Sequence, residues 1–276
     1  MKKLIPPSNT DWEKHIKTAF TYKDNTIKFT ITDDELKIIS TIYNKYHTEK
    51  GKECDEFKST LLSDELNNAL EVSYNEIQEK GRLSKLREQL LLSANRCPFC
   101  GISATEELDH HLPKSVYKSL GIFSRNLVPS CHKCNNKKRT LVGIPHIYYD
   151  EYLDNHFFIA VTKMVGNALV IKYEISEDNI TKEQFKTLSL VFERINLNNR
   201  LLKETNTFLS SFSISIEEKF DNFSEKGVKE YLLKLYQQFI NDFGINDWRT
   251  ALMQSLANCD DFCNGGFKDY YQSLTP

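Results

Sequence analysis

The chain of 276 residues is 40% hydrophobic and 27% charged, with 13 Tyr and 17 Phe, which is enough to bury one large core or two modest ones and excludes a disordered chain. Thirty-six Lys and Arg against 38 Asp and Glu give a net charge of −2, so no whole-molecule positive field draws in a polyanion and any nucleic-acid surface has to be local. Only Leu4 and Ile5 separate two lysines from Pro6 and Pro7, and the most apolar run, Phe157 to Val161, gives way at once to Thr162 and Lys163; neither a secretory leader nor a bilayer span of roughly 20 residues is expected, and the reading is a cytoplasmic protein with no membrane partner.

Residues 34 to 48 place Leu36, Ile39, Ile42 and Tyr43 at helical intervals, and 62 to 95 repeats the pattern from Leu66 through Leu91. Gly81 interrupts that second stretch, predicting two helices joined near it, the later one running from about Ser84 into the first cysteine pair. Between Cys97 and Thr140 the periodicity disappears and two short apolar runs stand out, Leu108 to Leu112 and Asn126 to Pro129. Farther on, FFIAVTKM and ALVIKYEI read as a hairpin turning at Val165, Gly166 and Asn167. From Thr181 onward helical spacing returns in three stretches. The expected domains are a helical region over 1–90, a metal-bearing motif over 91–145 and a mainly helical accessory region over 146–276.

Seven cysteines is an odd number, and in a reducing compartment they read as thiols or metal ligands. Cys97-Pro-Phe-Cys100 and Cys131-His-Lys-Cys134 form two CxxC pairs, the spacing that closes a tetrahedral site around Zn²⁺; four thiolates leave that ion no open position, so it would be structural. Cys259 and Cys263 lie one helical turn apart and Cys54 stands alone; with no histidine beside them they read as buried small apolar residues. His15, His47, His146 and His156 suggest no role.

Between the pairs run Glu107-Leu108-Asp109-His110-His111-Leu112-Pro113-Lys114 and Arg125-Asn126-Leu127-Val128-Pro129-Ser130, and after Cys134 come Asn135-Asn136-Lys137-Lys138-Arg139. An Asp-His step in a first strand, an Asn-Leu-Val step opening a second and an Asn on the following helix, set between CxxC knuckles, resemble the HNH nucleases, the ββα-metal endonucleases. The resemblance covers residues 97 to 139; the helical flanks carry no comparable motif. It implies a central, zinc-clamped ββα-metal motif; with the helical periodicity of the flanks and the small β-hairpin, the expected fold is mainly α, α+β overall.

The resemblance also implies chemistry. His110 would be the general base that deprotonates water, Asp109 and Asn135 the ligands of a catalytic Mg²⁺ or Mn²⁺, and Asn126 the residue whose amide braces the loop between the strands. A backbone carbonyl in that loop is expected to fix the His110 tautomer. Adjacent strand residues face opposite ways, so only one of His110 and His111 can reach a phosphate beside Asn135; the family pattern selects His110, and His111 then reads as a packed histidine, while His132 reads as a solvated residue of the knuckle. From His110 to Leu141 there are Lys114, Lys118, Arg125, Lys133, Lys137, Lys138 and Arg139 and no acid, a patch suited to sequence-independent phosphate attraction. The implied function is a metal-dependent endonuclease cutting DNA rather than RNA, in the setting of a bacterial defence or restriction system with an ATPase or sensor subunit as partner. The alternative is a zinc-knuckle module that binds nucleic acid or a partner without cutting.

Overall fold

The computed structural model describes residues 1–58 and 60–274. It is mainly helical with two small antiparallel sheets, the α+β class expected. The chain divides into two compact units, one of Lys3–Phe99 with Ser103–Asp150 and one of Met1–Lys2, Cys100–Ile102 and Glu151–Pro276. Among the described residues no helix is long and apolar enough to cross a membrane.

The first unit opens with α1 (Trp12–Ala19) and α2 (Asp33–Thr48). Thr32 caps α2 through a full capping box with Glu35, satisfying backbone donors that a helix start leaves open. Then come α3 (Asp64–Val72) and α4 (Ser84–Leu92). The helix that the periodicity carries toward Gly81 ends at Val72 instead, and Ser73–Ile77 tightens into a 3₁₀ turn. The Ser73 hydroxyl bonds back to Ala69 O at 2.7 Å and Leu83 N–H takes Glu76 O at 2.7 Å, so side chain and turn supply the partners that a longer helix would have used. Helix α4 also stops short of Cys97, ending at Leu92.

Strands β1 (Glu107–His110) and β2 (Leu127–Ser130) pair antiparallel with Glu107 opposite Ser130 and His110 opposite Leu127, and α5 (His132–Lys138) packs against β1. Four-residue strands cannot hold themselves; tyrosines from outside the motif grip them. Tyr74 donates to Leu108 O at 2.8 Å and Tyr148 to Leu127 O at 2.9 Å. Helix α2 supports the connection between the strands: Tyr43 stacks on Phe123 at 3.9 Å and donates to Ser119 O, while Tyr46 meets the Phe123 ring edge-on.

Beside Tyr46 lies His146, whose Nδ1 accepts from Tyr148 N–H at 3.2 Å and whose Nε2 stands 2.9 Å from the Tyr46 hydroxyl. Because Nδ1 accepts, the neutral ring carries its proton on Nε2 and donates to Tyr46. Gly51, with φ of 72°, lies against this ring so closely that a Cβ would sit 2.2 Å from His146 Cδ2, so both backbone and contact require glycine.

The second unit is built on β3 (Phe158–Val165) and β4 (Ala168–Ile175), paired in register from Phe158 opposite Ile175 to Val165 opposite Ala168. Gly166 takes a φ of 57° at the first of the two turn positions, where such a hairpin calls for glycine. Helices α6 (Lys182–Arg194), α7 (Leu197–Ser210), α8 (Ser213–Phe243, kinked at Ser224), α9 (Trp248–Ala257) and α10 (Phe267–Leu274) follow. Asn246 ties the entry to the hairpin: its Oδ1 accepts from the N–H groups of Phe157 and Phe158, and its Nδ2 donates to Leu153 O and Asn155 O.

Burial pushes His146 down to about 3, from a usual value near 6.5. Below pH 6.5 the unfolded chain then takes up a proton that the folded chain refuses, so stability is lost as pH falls from about 6.5 toward 3. His110 and His111 are shifted in the same direction by burial. We expect the stability gap between the wild type and His146→Gln, measured by urea unfolding, to narrow by about 1.4 kcal/mol between about pH 7.5 and about 5.5; a gap independent of pH would show that His146 is not held neutral.

Candidate functional site

The Sγ atoms of Cys97, Cys100, Cys131 and Cys134 lie within 4.8 Å of one another, and all four residues are buried. Zn–S bonds of about 2.3 Å set sulfurs roughly 3.8 Å apart around a tetrahedral ion, a spacing within that limit, so the set fits a structural zinc. The cluster joins the chain just before β1 to the turn of α5. Among the described residues it is the group of three or more His, Cys, Asp or Glu ligands gathered closely enough to hold a metal.

Alternation along β1 sends Glu107 and Asp109 to the side of α5. There each meets a side chain of that helix, one turn apart: Glu107 Oε2 accepts from Asn135 Nδ2 at 2.6 Å, and Asp109 pairs with Lys138. Lys138 Nζ donates to Asp109 Oδ1 at 3.2 Å and to His110 O at 2.8 Å. It also lies 3.1 Å from Asp109 Oδ2, but off the line of a hydrogen bond, so Oδ2 is a buried carboxylate oxygen without one. Burial raises Asp109 to about 6 against the opposing pull of the Lys138 ammonium. The two expected cation ligands are thus brought to one face but are each bonded to a neighbour rather than to one another. Asp109 Oδ2, which makes no hydrogen bond but stands in ionic contact with Lys138, and an amide oxygen are hard donors of the kind that Mg²⁺ or Mn²⁺ takes, once Lys138 gives way.

His110 points the other way, so the expectation that the selected histidine stands on the side of Asn135 is not met: alternation sends the imidazole and the two expected cation ligands to opposite faces of β1. Its ring lies 4.5 Å from that of Tyr74, edge to face, and its Nε2 is 2.9 Å from Gly121 O. A carbonyl only accepts, so Nε2 carries the proton and Nδ1 keeps the lone pair. Burial, with smaller contributions from Lys114 and Lys138, lowers His110 to about 3. His111 is buried too, with its ring 3.9 Å from that of His146.

Asn126 is fully buried and uses its whole amide. Its Oδ1 accepts from Leu112 N–H at 2.8 Å and from Tyr46 at 3.0 Å, while Nδ2 donates to Leu112 O at 3.0 Å and Leu120 O at 3.3 Å. It therefore clasps the chain just after His110 to the residue preceding Gly121, whose carbonyl orients the His110 ring.

The basic residues separate. Lys133, Lys137 and Arg139 are exposed on or just after α5. Lys114 and Lys118 face Glu71 at 3.8 and 3.4 Å. Arg125 donates to Pro7 O at 3.1 Å and stands 2.8 Å from His47 Nδ1. Lys138 is 4% exposed and turned inward to Asp109, unlike its neighbours. Two features went unread in the sequence: the inward role of Lys138, three positions after Asn135 on the same helix face, and Glu107, two positions before Asp109 on the same strand face. Both follow from periodicity. His132, 65% exposed, adds its Nδ1 to Glu107 Oε1 at 2.7 Å.

No family model matches the chain, and no solved structure does. The chain is similar to Protein ea31 of Escherichia phage lambda, 27% identical over an alignment of 218 residues with gaps, which covers 69% of this chain and 72% of that protein. It is also similar to Septu protein PtuB of Bacillus thuringiensis, 43% identical over 56 residues, 18% of this chain and 22% of that protein. The second likeness is the stronger per residue and spans about a fifth of PtuB.

Zinc bound to the four sulfurs contributes folding energy directly. Protein purified without added metal should contain about one zinc per chain by elemental analysis, and Cys131→Ser should lower its folded yield. Stoichiometric zinc persisting after loss of Cys97 and Cys131 together would overturn this assignment.

Proposed function

We propose that the chain is a metal-dependent HNH endonuclease that hydrolyses phosphodiester bonds of DNA. The observation that carries this reading is the tautomer lock on His110: a buried imidazole with its Nε2 proton given to Gly121 O keeps a lone pair on Nδ1, the form that a general base requires. This reading requires one phosphate to reach both faces of β1 at its His110 end: His110 Nδ1 takes a proton from water as the water oxygen bonds to phosphorus, the bond from phosphorus to the 3′ oxygen breaks, and that oxygen takes a proton from solvent. The products carry 5′-phosphate and 3′-hydroxyl ends. A divalent cation held by Asp109 and Asn135 would supply positive charge at the non-bridging and departing oxygens.

The low basicity of a buried His110 is met by the substrate itself. A phosphodiester anion brought beside the ring favours the imidazolium and raises its affinity for the proton. Asn126 keeps the ring and its carbonyl acceptor in one rigid piece, so the base does not need reorganisation when water is bound. Lys133, Lys137 and Arg139 provide phosphate attraction at the surface.

The local likeness to a Septu protein favours an effector role in a bacterial defence or restriction system, with a partner such as an ATPase or sensor subunit controlling the cut. The second reading, a zinc-knuckle module that binds nucleic acid or a partner without cleavage, is favoured by the Asp109–Lys138 ion pair, which already neutralises the carboxylate.

A plasmid-cleavage assay separates the two. His110→Ala should retain zinc and DNA affinity and lose cleavage by roughly a hundredfold or more. His111→Ala should lower stability, because it empties a buried space against His146, but keep most activity per folded molecule. The reverse pattern would reassign the base, and a wild type that binds DNA without cutting it in Mg²⁺ or Mn²⁺, with and without its partner, would favour the binding module.

A further inference from the structure

An amide ligates a hard cation through its oxygen only, and Asn135 serves as a ligand only if something decides which end of its amide faces the cation. Glu107 is placed to make that decision. A carboxylate accepts and does not donate, so its 2.6 Å contact with Asn135 holds the Nδ2 end and leaves Oδ1 outside the bond. The other carboxylate oxygen, Oε1, is engaged by His132 Nδ1 at 2.7 Å. With both oxygens taken by separate donors, Glu107 is anchored as an acceptor and is not offered as a chelating ligand. Its side chain is 34% exposed, so it can be changed without opening the core.

We infer that Glu107 is a positioning residue for the catalytic cation, acting by fixing the orientation of the Asn135 amide. This rests on the reading of Asn135 as a cation ligand. It also gives His132, inside the second CxxC pair, a part in the same chain of contacts: the knuckle that carries the sulfurs steadies the carboxylate that steadies the amide.

Asn135→Asp makes the test specific, because a carboxylate presents an oxygen whichever way it turns and needs no orienting partner. The measurement is Mn²⁺ affinity, followed by the electron paramagnetic resonance of free Mn²⁺, on the full chain with its zinc content verified. Glu107→Gln should weaken Mn²⁺ binding roughly tenfold or more, the scale of a lost hydrogen bond to a charged group, because the amide that replaces the carboxylate can pair with either end of Asn135. The same Glu107→Gln change made in the Asn135→Asp background should cost less than about twofold, since an aspartate has no N–H to give Glu107 and no orienting bond is left to lose. Equal losses in both backgrounds would make Glu107 a ligand or a bulk electrostatic contributor and overturn the positioning role. So would the absence of a loss in the Asn135 background. Undiminished Mn²⁺ binding by Asn135→Ala would instead overturn the assignment of Asn135 as a ligand, and this inference with it.

Discussion

Successive side chains of a strand must point to opposite faces, and in the four residues of β1 that rule divides the whole site. Glu107 and Asp109 turn toward α5 and find Asn135 and Lys138. Leu108 and His110 turn the other way, where Leu108 is buried and His110 meets Tyr74 and the Gly121 carbonyl. A slip of one residue against β2 would exchange these sets, sending the imidazole to the helix and the carboxylates to the tyrosine. Register is therefore the constraint on which everything else rests. A ladder this short does not secure it alone, so the phenols of Tyr74 and Tyr148 and the cysteines at both ends of the segment fix it from outside.

The loop between the strands is held by a single continuous run of hydrogen bonds. His146 donates to Tyr46, Tyr46 donates to Asn126, and Asn126 clasps Leu112 and Leu120 on either side of the His110–Gly121 contact. Each donor and acceptor has a fixed sense, because Nδ1 of His146 is already occupied by a backbone N–H. Buried polar groups joined in this way specify one arrangement, since any other leaves one of them unpaired. Neutral, buried imidazoles are the consequence.

Much of this was legible in the sequence. The doubled CxxC, the α2 periodicity, the start of α4 at Ser84, the two short runs that became β1 and β2, and the glycine turn of the β3–β4 hairpin all depend on neighbours close in the chain, which local pattern records. The shortened α3 was not legible: Ser73 ends it by a side-chain bond to Ala69 O, and nothing in the apolar spacing marks that. Nor were the tyrosines, because 13 of them in a chain of this size read as core, and only the fold tells which hydroxyls reach a strand carbonyl. Lys138 illustrates the same limit. In the sequence it belongs to a basic run, whereas helical periodicity turns this one lysine inward beside Asp109 and leaves Lys137 and Arg139 outside. Glu107 could have been read from alternation, but its meaning depends on Asn135 standing opposite.

The proposal at the centre is that one short segment serves two cations of different character, a soft-ligand site of four sulfurs that builds the fold and a hard-ligand site of oxygens that serves the chemistry. Anomalous diffraction from crystals grown in Mn²⁺, with data taken at the zinc and manganese absorption edges, tests it most directly. Two separate peaks are expected, zinc at Cys97, Cys100, Cys131 and Cys134 and manganese beside Asp109 and Asn135. A zinc peak alone at saturating Mn²⁺, with Lys138 still paired to Asp109, would contradict it.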